Sequence, residues 1–199
     1  TVEMLKQRSA GDKSWPVACS DTTLGDESKQ LDLSGAHLSY GDFNDATFIG
    51  AGAIKLNGAG LANADLSGSE FTTLNNIDDG GIDFSGADLT NADLSGAKLT
   101  AWGTYENSAS IDFSEANLAG ANLSGAVLKT EITYGTDAII DFSGANLANA
   151  DLSGAVLHAA ENAGDSAKID FTEANLVNAD LSGAVLNADV SEGNGLYAN

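Results

Sequence analysis

The residues of this sequence that could carry acid–base, nucleophilic or metal chemistry are few and widely separated. Its two histidines are His37 and His158, and its only cysteine is Cys19. A single cysteine excludes an internal disulfide and a metal site built from several cysteines. The sequence contains neither a GxxxxGK phosphate-binding loop nor an HExxH zinc motif, and Asp78-Asp79-Gly80 is too short for a calcium loop. We therefore predict a chain that is not an enzyme and that has no cofactor and no metal site.

The chain is strongly acidic, with 29 Asp and Glu against 8 Lys and Arg and a formal net charge of -21. Such a surface repels nucleic acid and anionic membranes and attracts basic proteins or cations; plain solubility is the alternative interpretation. No apolar run approaches the roughly 20 residues of a spanning helix, so we expect no nucleic-acid partner and no direct membrane insertion. The chain begins at Thr1 rather than Met, from which we expect a removed upstream segment, either a targeting segment or a trimmed one.

The elements that position any functional residue follow from a five-residue repeat, here called a pentad. From Ile82 the sequence reads IDFSG, ADLTN, ADLSG and AKLTA, and nine further residues precede the next such unit. Units of four pentads begin at Leu31, Ile54, Ile82, Ile111, Ile140 and Ile169. The inserted segments that follow the fourth pentad are 74–81, 102–110, 131–139 and 160–168. Residues 31–188 therefore form a repeat array of 24 pentads.

The centre of each pentad is the position that identifies the core. The 24 centres hold 17 Leu and seven Phe, and these are all the Phe residues in the chain. The Phe centres are Phe43, Phe48, Phe71, Phe84, Phe113, Phe142 and Phe171. A five-residue unit cannot bury its own Leu or Phe, so the units must stack and close a common core. We expect each centre to point inward, together with the residue two positions before it, which is nearly always Ala, or Ile or Leu in the first pentad of a unit.

This pattern resembles the pentapeptide-repeat family, whose repeat is Ala, then Asp or Asn, then Leu, then two variable residues. The resemblance implies an all-β fold, a right-handed quadrilateral β-helix of about six coils with one pentad on each side. We call the sides formed by the first to fourth pentads faces one to four. We expect residues 1–30 to form an N-terminal cap with a short helix near Met4, and 189–199 to form a C-terminal tail. Because this tail is short and Gly-rich, the last coil is expected to stay partly open, so that homo-dimerisation through it is one expectation.

Two faces carry columns of acidic residues at their outward positions. Face one has Asp32, Asp83, Asp112, Asp141 and Asp170, interrupted by Lys55. Face three has Asp42, Asp65, Asp93, Asn122, Asp151 and Asp180. Like charges at coil spacing repel one another unless hydrogen bonds or cations compensate. The favoured interpretation is that each carboxylate bonds backbone donors at its own turn; cation binding and mimicry of a phosphate row are the alternatives.

Face four combines an outward aliphatic column with the inserted segments, which all leave the solenoid at the same corner. Its outward position reads Thr47, Glu70, Lys98, Val127, Val156 and Val185. The insertions are expected to stack as a flank of loops, which on a solenoid is commonly the binding side. Because they share this corner, we expect the valines to adjoin the apolar residues of the insertions. The predicted partner-binding residues are Val127, Val156, Val185, Trp102, Tyr105, Ile132 and Tyr134. Ordinary tolerance of β-branched residues in strands is the alternative explanation for the valines.

These observations favour a non-catalytic structural or docking subunit that binds protein partners in a larger complex. The interrupted, Gly- and Ala-rich repeats are similar to those of cyanobacterial and plastid members of the family, some of which occur in the thylakoid lumen. That similarity implies a lumenal subunit of a photosynthetic complex, with the bacterial cytoplasm as the alternative compartment. The alternative function is an acidic DNA mimic that binds a type II topoisomerase, as some bacterial family members do. The insertions, and the lack of a dimerising helix after Ala188, speak against it.

Overall fold

The fold is a solenoid with four ladders of parallel strand pairing. The computed structural model describes residues 2–7, 18–74, 80–104, 107–133, 136–161 and 166–190. The ladder on face four is a seven-stranded sheet: β1 Thr23–Asp26, β3 Thr47–Ala51, β5 Glu70–Leu74, β7 Lys98–Thr104, β9 Val127–Thr133, β11 Val156–Glu161 and β13 Val185–Val190. The ladder on face one is a six-stranded sheet: β2 Leu31–Asp32, β4 Ala53–Lys55, β6 Gly80–Asp83, β8 Ala109–Asp112, β10 Asp137–Asp141 and β12 Ser166–Asp170.

Faces two and three pair through single parallel bridges instead of extended strands. On face two the bridges run from His37 through Gly60 to the equivalent residues of later coils. On face three they run from Ala18 through Asp42 in the same way. The pentads of these two faces end in turns, where most often glycine or asparagine takes a left-handed backbone conformation. The prediction of an all-β, four-sided parallel solenoid is confirmed.

The core is the stack of pentad centres, as the repeat predicts. The centres of the first five coils are buried, among them Phe113 at 0% and Leu123 at 1% exposure. The rings of Phe84, Phe113, Phe142 and Phe171 form a continuous parallel stack on face one, with centroids 4.9–5.0 Å apart. The alanines two positions before the centres are buried beside them. Stacking at strand spacing thus turns an apolar position in the pentad into a continuous apolar column.

The inserted segments form strands near the core, so the expectation of a flank of loops is wrong for the part that the structure describes. Strands β7, β9 and β11 continue past the fourth pentad, and β8, β10 and β12 begin before the next coil. Small buried residues line the inner side of these strands, such as Ala101 and Ala159 at the end of the fourth pentad and Ala109 and Ala138 before the next coil. We call this two-layered extension of both sheets the fin. Its small inner residues fit the closer approach of two sheets near a shared corner.

The N-terminal region joins the ladder earlier than the repeat indicates. Leu24 pairs with Phe48, and the N–H of Cys19 donates to the carbonyl of Asp42, so residues 18–26 add a partial coil before Leu31. Cys19 and Leu24 are buried at centre positions. Helix α1, Val2–Lys6, packs Leu5 into the core at this end, in keeping with the expected short helix. No helix in the described ranges has the length and hydropathy needed to cross a membrane.

Candidate functional site

Face four carries an outward column of three valines in register. Val127 pairs with Val156, which pairs with Val185 on the next strand. Their N–H groups donate to the carbonyls one coil earlier at 2.8 Å, so the backbone is satisfied within the sheet and only the side chains face outward. Val127 and Val156 are half-buried, and Val185 is exposed. We call these three residues the valine column.

A column of glycines borders the valine column on the side of face three. Gly125, Gly154 and Gly183 stand two residues before the three valines, and all three are exposed. A Cβ atom placed on Gly125 or Gly154 would meet no heavy atom within 4 Å. Because glycine has no side chain, nothing projects from this column beside the valines, and another molecule can approach the valine side chains closely from that side.

Basic residues border the valine column on its other sides. Lys98 pairs with Val127 and extends the column by one exposed position. Lys129 and His158 pair with each other in the next outward column. Lys129 forms an ion pair with Glu131, and Nε2 of His158 lies 3.6 Å from Oδ2 of Asp189. Face four thus combines positive and negative groups, whereas faces one and three carry columns of aspartates.

Trp102 lies on the same outer surface but not beside the valines. It is 43% exposed and pairs with Glu131 on β9, whereas Val127 pairs with Lys98. Four residues of strand separate Trp102 from Lys98, which is roughly 13 Å at the strand rise of ~3.3 Å. The expectation that the tryptophan adjoins the valine column is therefore corrected: the two features are separate parts of one sheet surface.

Ile132 does not belong to that surface. It is 1% exposed and lies in the core of the fin. It follows Leu128 by four residues, and because strand side chains alternate, both point inward. That parity was present in the sequence and identifies Ile132 as a core residue. The other two predicted anchors, Tyr105 and Tyr134, lie outside the described residues.

The acidic columns are held by local hydrogen bonds. On faces one and three, each aspartate Oδ1 accepts a bond from the backbone N–H two residues later; the Ser114 N–H lies 2.7 Å from Asp112 and the Ser153 N–H 2.8 Å from Asp151. The Ser34 N–H and hydroxyl, helped by Lys6, lower the pKa of Asp32 to about 2. Bonds from the N–H and hydroxyl of Ser182 likewise hold the pKa of Asp180 below its usual value. The favoured interpretation of these columns, backbone bonding at each turn, agrees with this geometry.

The potentially reactive groups do not come together. His37 lies in the ladder of face two and His158 on β11 of face four. Within the described ranges, no group of three or more His, Cys, Asp or Glu side chains is arranged to hold a metal ion. Cys19 is buried at the N-terminal end, and burial is the main cause that raises the pKa of its thiol.

One family model and several solved structures are similar to this chain. A family model described as pentapeptide repeats matches eight copies over residues 80–101, 110–129, 140–161 and 167–187. No curated protein matches the chain. One similar solved structure is HetL, a pentapeptide repeat protein involved in heterocyst differentiation regulation from the cyanobacterium Nostoc, with 24% identity, 86% and 85% of the two chains covered and a TM-score of 0.27.

Two further structures are similar to this chain. QnrB1, a plasmid-mediated fluoroquinolone resistance protein, has 19% identity, with 89% of this chain and 86% of that chain covered and a TM-score of 0.30. A pentapeptide repeat protein from the Arabidopsis thaliana thylakoid lumen has 24% identity, with 78% and 64% covered and a TM-score of 0.18. The repeat of Leu and Phe centres, the four parallel ladders and the matched family model lead to one conclusion: the chain belongs to the pentapeptide-repeat proteins.

Proposed function

We propose that this chain is a non-catalytic docking subunit, held to a larger protein assembly by the outer surface of face four. The observation that carries the proposal is the valine column, an aliphatic row at outward positions of a sheet whose core is already filled by the pentad centres. Exposed contiguous apolar groups on a polar surface are typical of protein interfaces. Trp102, exposed on the same sheet, supplies the kind of aromatic side chain that often anchors such an interface.

The distribution of charge supports face four over faces one and three. Faces one and three present columns of aspartates, which repel the acidic surface of any partner. On face four the valines lie among Lys98, Lys129 and Glu131, which carry charges of both signs. A partner that approaches this face therefore meets little net repulsion. Its backbone hydrogen bonds are made within the sheet, so docking would desolvate few polar groups.

The proposal is tested by changing the exposed surface without touching the core. The variant Val127→Ser, Val156→Ser, Val185→Ser with Trp102→Ala should keep its melting temperature within a few degrees and leave its native complex on size-exclusion chromatography. A matched control changes Ala119, Ala148 and Val177 to Ser, because these are outward residues in one column of face two. The control should assemble normally. Normal assembly of the face-four variant would show that the valines are ordinary strand residues.

The compartment is part of the same proposal. We place the docking subunit in the thylakoid lumen of a plastid or cyanobacterium, on a photosynthetic complex, as the family resemblance implies. Fractionation of the source organism followed by detection of the chain in lumenal and cytoplasmic extracts tests this. Recovery with the cytoplasmic fraction would favour the bacterial cytoplasm instead.

The last coil supports a further contact, with a second copy of the chain. Its inward Leu176 and Leu186 are 37% and 46% exposed, and among the described residues no strand follows β13. Two such ends related by a two-fold axis would cover each other's free strand edges and leucines. Sedimentation equilibrium of the chain and of Leu186→Asp tests this, since a dimer should dissociate in the variant.

An acidic DNA mimic is the second candidate function, and the ordered aspartate columns of faces one and three are the observation that favours it. Their Oδ1 atoms are fixed by the turns, so the carboxylates form regular rows. Such a protein should inhibit or protect a type II topoisomerase, and its binding should weaken steeply with salt. We expect no effect; a stoichiometric, salt-sensitive complex with gyrase would reverse the order of the two candidates.

A further inference from the structure

The spacing of the valine column limits what kind of partner segment can lie on it. The three side chains stand on successive strands, which are ~4.8 Å apart, so they span roughly 9.6 Å along the solenoid axis. Residues i, i+3 and i+7 of an α-helix lie on one face and are about 4.5 and 10.5 Å from the first along its axis. Residues on one side of an extended strand repeat every ~6.7 Å. A helix therefore matches all three valines to within about 1 Å, whereas a strand loses the match at the second.

The backbone of face four also argues against a strand partner on this surface. The N–H groups of Val127, Val156 and Val185 all donate within the sheet at 2.8 Å. Pairing of an added strand needs free backbone groups, which occur at the edge of a sheet and not on its face. Side-chain packing is the interaction that face four can offer, and an amphipathic helix uses that mode of recognition.

We propose that the partner segment that docks on face four is an amphipathic α-helix lying along the solenoid axis, across β9, β11 and β13. This inference rests on the proposed docking function and names its partner. The helix carries apolar residues at i, i+3 and i+7 over the valine column. The column of glycines at Gly125, Gly154 and Gly183, which has no side chains, leaves room for the width of the helix.

Charge defines the ends and flank of the same helix. Lys98 continues the valine column by one strand beyond Val127. It therefore faces a helix residue about one turn beyond the apolar stripe, at the N-terminal or C-terminal end according to the direction of the helix. Lys129 and His158 flank the column along its length. The helix is therefore expected to carry a Glu or Asp about one turn beyond its apolar stripe, opposite Lys98. Beside the stripe it is expected to be neutral or acidic, because a basic residue there would face Lys129.

The decisive experiment maps the partner residues that touch each valine. A photo-crosslinking amino acid, p-benzoylphenylalanine, replaces Val127, Val156 and Val185 one at a time in the full chain, which is assembled into its native complex and irradiated. Mass spectrometry then identifies the crosslinked residue of the partner. We expect three sites in one segment, in order, separated by three or four residues at each step. The same group at Ala148, an outward residue of face two, is the control and should give no crosslink to that segment.

A charge reversal gives a second readout. Lys98→Glu should weaken binding of the native partner about three- to tenfold, whereas Lys55→Glu, the same change on face one, should not alter it. Crosslinks separated by two residues, or scattered over several segments, would overturn the helix while leaving face-four docking intact. The absence of any crosslink from the three valine positions in the intact complex would instead overturn both the helix and the proposed docking function.

Discussion

The rings of Phe113 and Phe142 lie parallel, with centroids 5.0 Å apart and an interplanar angle of 4°. They belong to successive coils, 29 residues apart in the sequence. The contact exists only because the coils stack in register, so each ring closes the core above and below it. Both residues are fully buried.

Replacing Phe113 with Ala should therefore lower the free energy of unfolding by ~3–5 kcal/mol, since a large cavity opens in the middle of the ring stack. Ser124→Ala is the control in the same coil, because Ser124 points outward and its hydroxyl donates to Oδ1 of Asn122, two residues earlier. It should cost about 1 kcal/mol or less. Thermal melting of both variants checks this, and equal melting temperatures would contradict the register of the core.

Two buried threonines of the face-four sheet should respond oppositely to the same substitution. The Thr130 hydroxyl is buried and has no hydrogen-bond partner among the described residues, whereas the Thr73 hydroxyl accepts a bond from the Trp102 N–H at 3.1 Å. Thr130→Val should raise the free energy of unfolding by roughly 1 kcal/mol, because it removes an unsatisfied polar group at constant volume.

Thr73→Val should lower that free energy by roughly 1–3 kcal/mol, because the Trp102 N–H loses its acceptor. Both threonines are fully buried on the same sheet, which makes the pair a matched comparison. Urea unfolding measures both values. Destabilisation of similar size in the two variants would mean that the Thr130 hydroxyl has a partner after all.

The left-handed turn positions predict another pair of opposite effects. Glu115 has φ 59° and Gly125 has φ 63°, two turns later in the same coil. A residue with a Cβ pays about 1–2 kcal/mol in this conformation relative to glycine. Glu115→Gly should therefore stabilise the protein by up to about 1 kcal/mol after the added chain entropy of glycine.

Gly125→Ala should destabilise by a similar amount through conformation alone, since the added Cβ meets no atom within 4 Å. Differential scanning calorimetry of both variants gives the sign of each change. A stabilising Gly125→Ala substitution would show that this turn does not impose the left-handed conformation.

The ion pair of Lys6 and Asp32, 3.1 Å long, connects the N-terminal helix to the first coil. The pKa of Asp32 is lowered to about 2, first by the Ser34 bonds and then by Lys6. A carboxyl group whose folded pKa is depressed stabilises the fold above its unfolded pKa, near 4, and loses that contribution as the pH falls toward 2. The melting-temperature difference between the wild type and Asp32→Asn should therefore be constant above about pH 5 and shrink below pH 4.

NMR titration of the Asp32 carboxyl separates the two causes. In Lys6→Gln its pKa should rise only part of the way toward the usual value, because the bonds from Ser34 remain. A return to the usual pKa in that variant would make Lys6, and not the turn, the principal cause of the shift.

The sequence by itself determined the parts of this protein that depend on the pentad. Because five residues make one side, the centres such as Phe113, the outward aspartates and the column of Val127, Val156 and Val185 could all be placed by counting. Only the tertiary structure decided the regions that lie outside the five-residue repeat. Cys19 and Leu24 join the core without matching the repeat, because the segment that contains them pairs with the first coil and their side chains are buried against it. In the fin the period becomes two, the alternation of a strand. That alternation buries Ile132, leaves Trp102 outside and separates Trp102 from the valines, because position there depends on strand pairing and not on distance along the sequence.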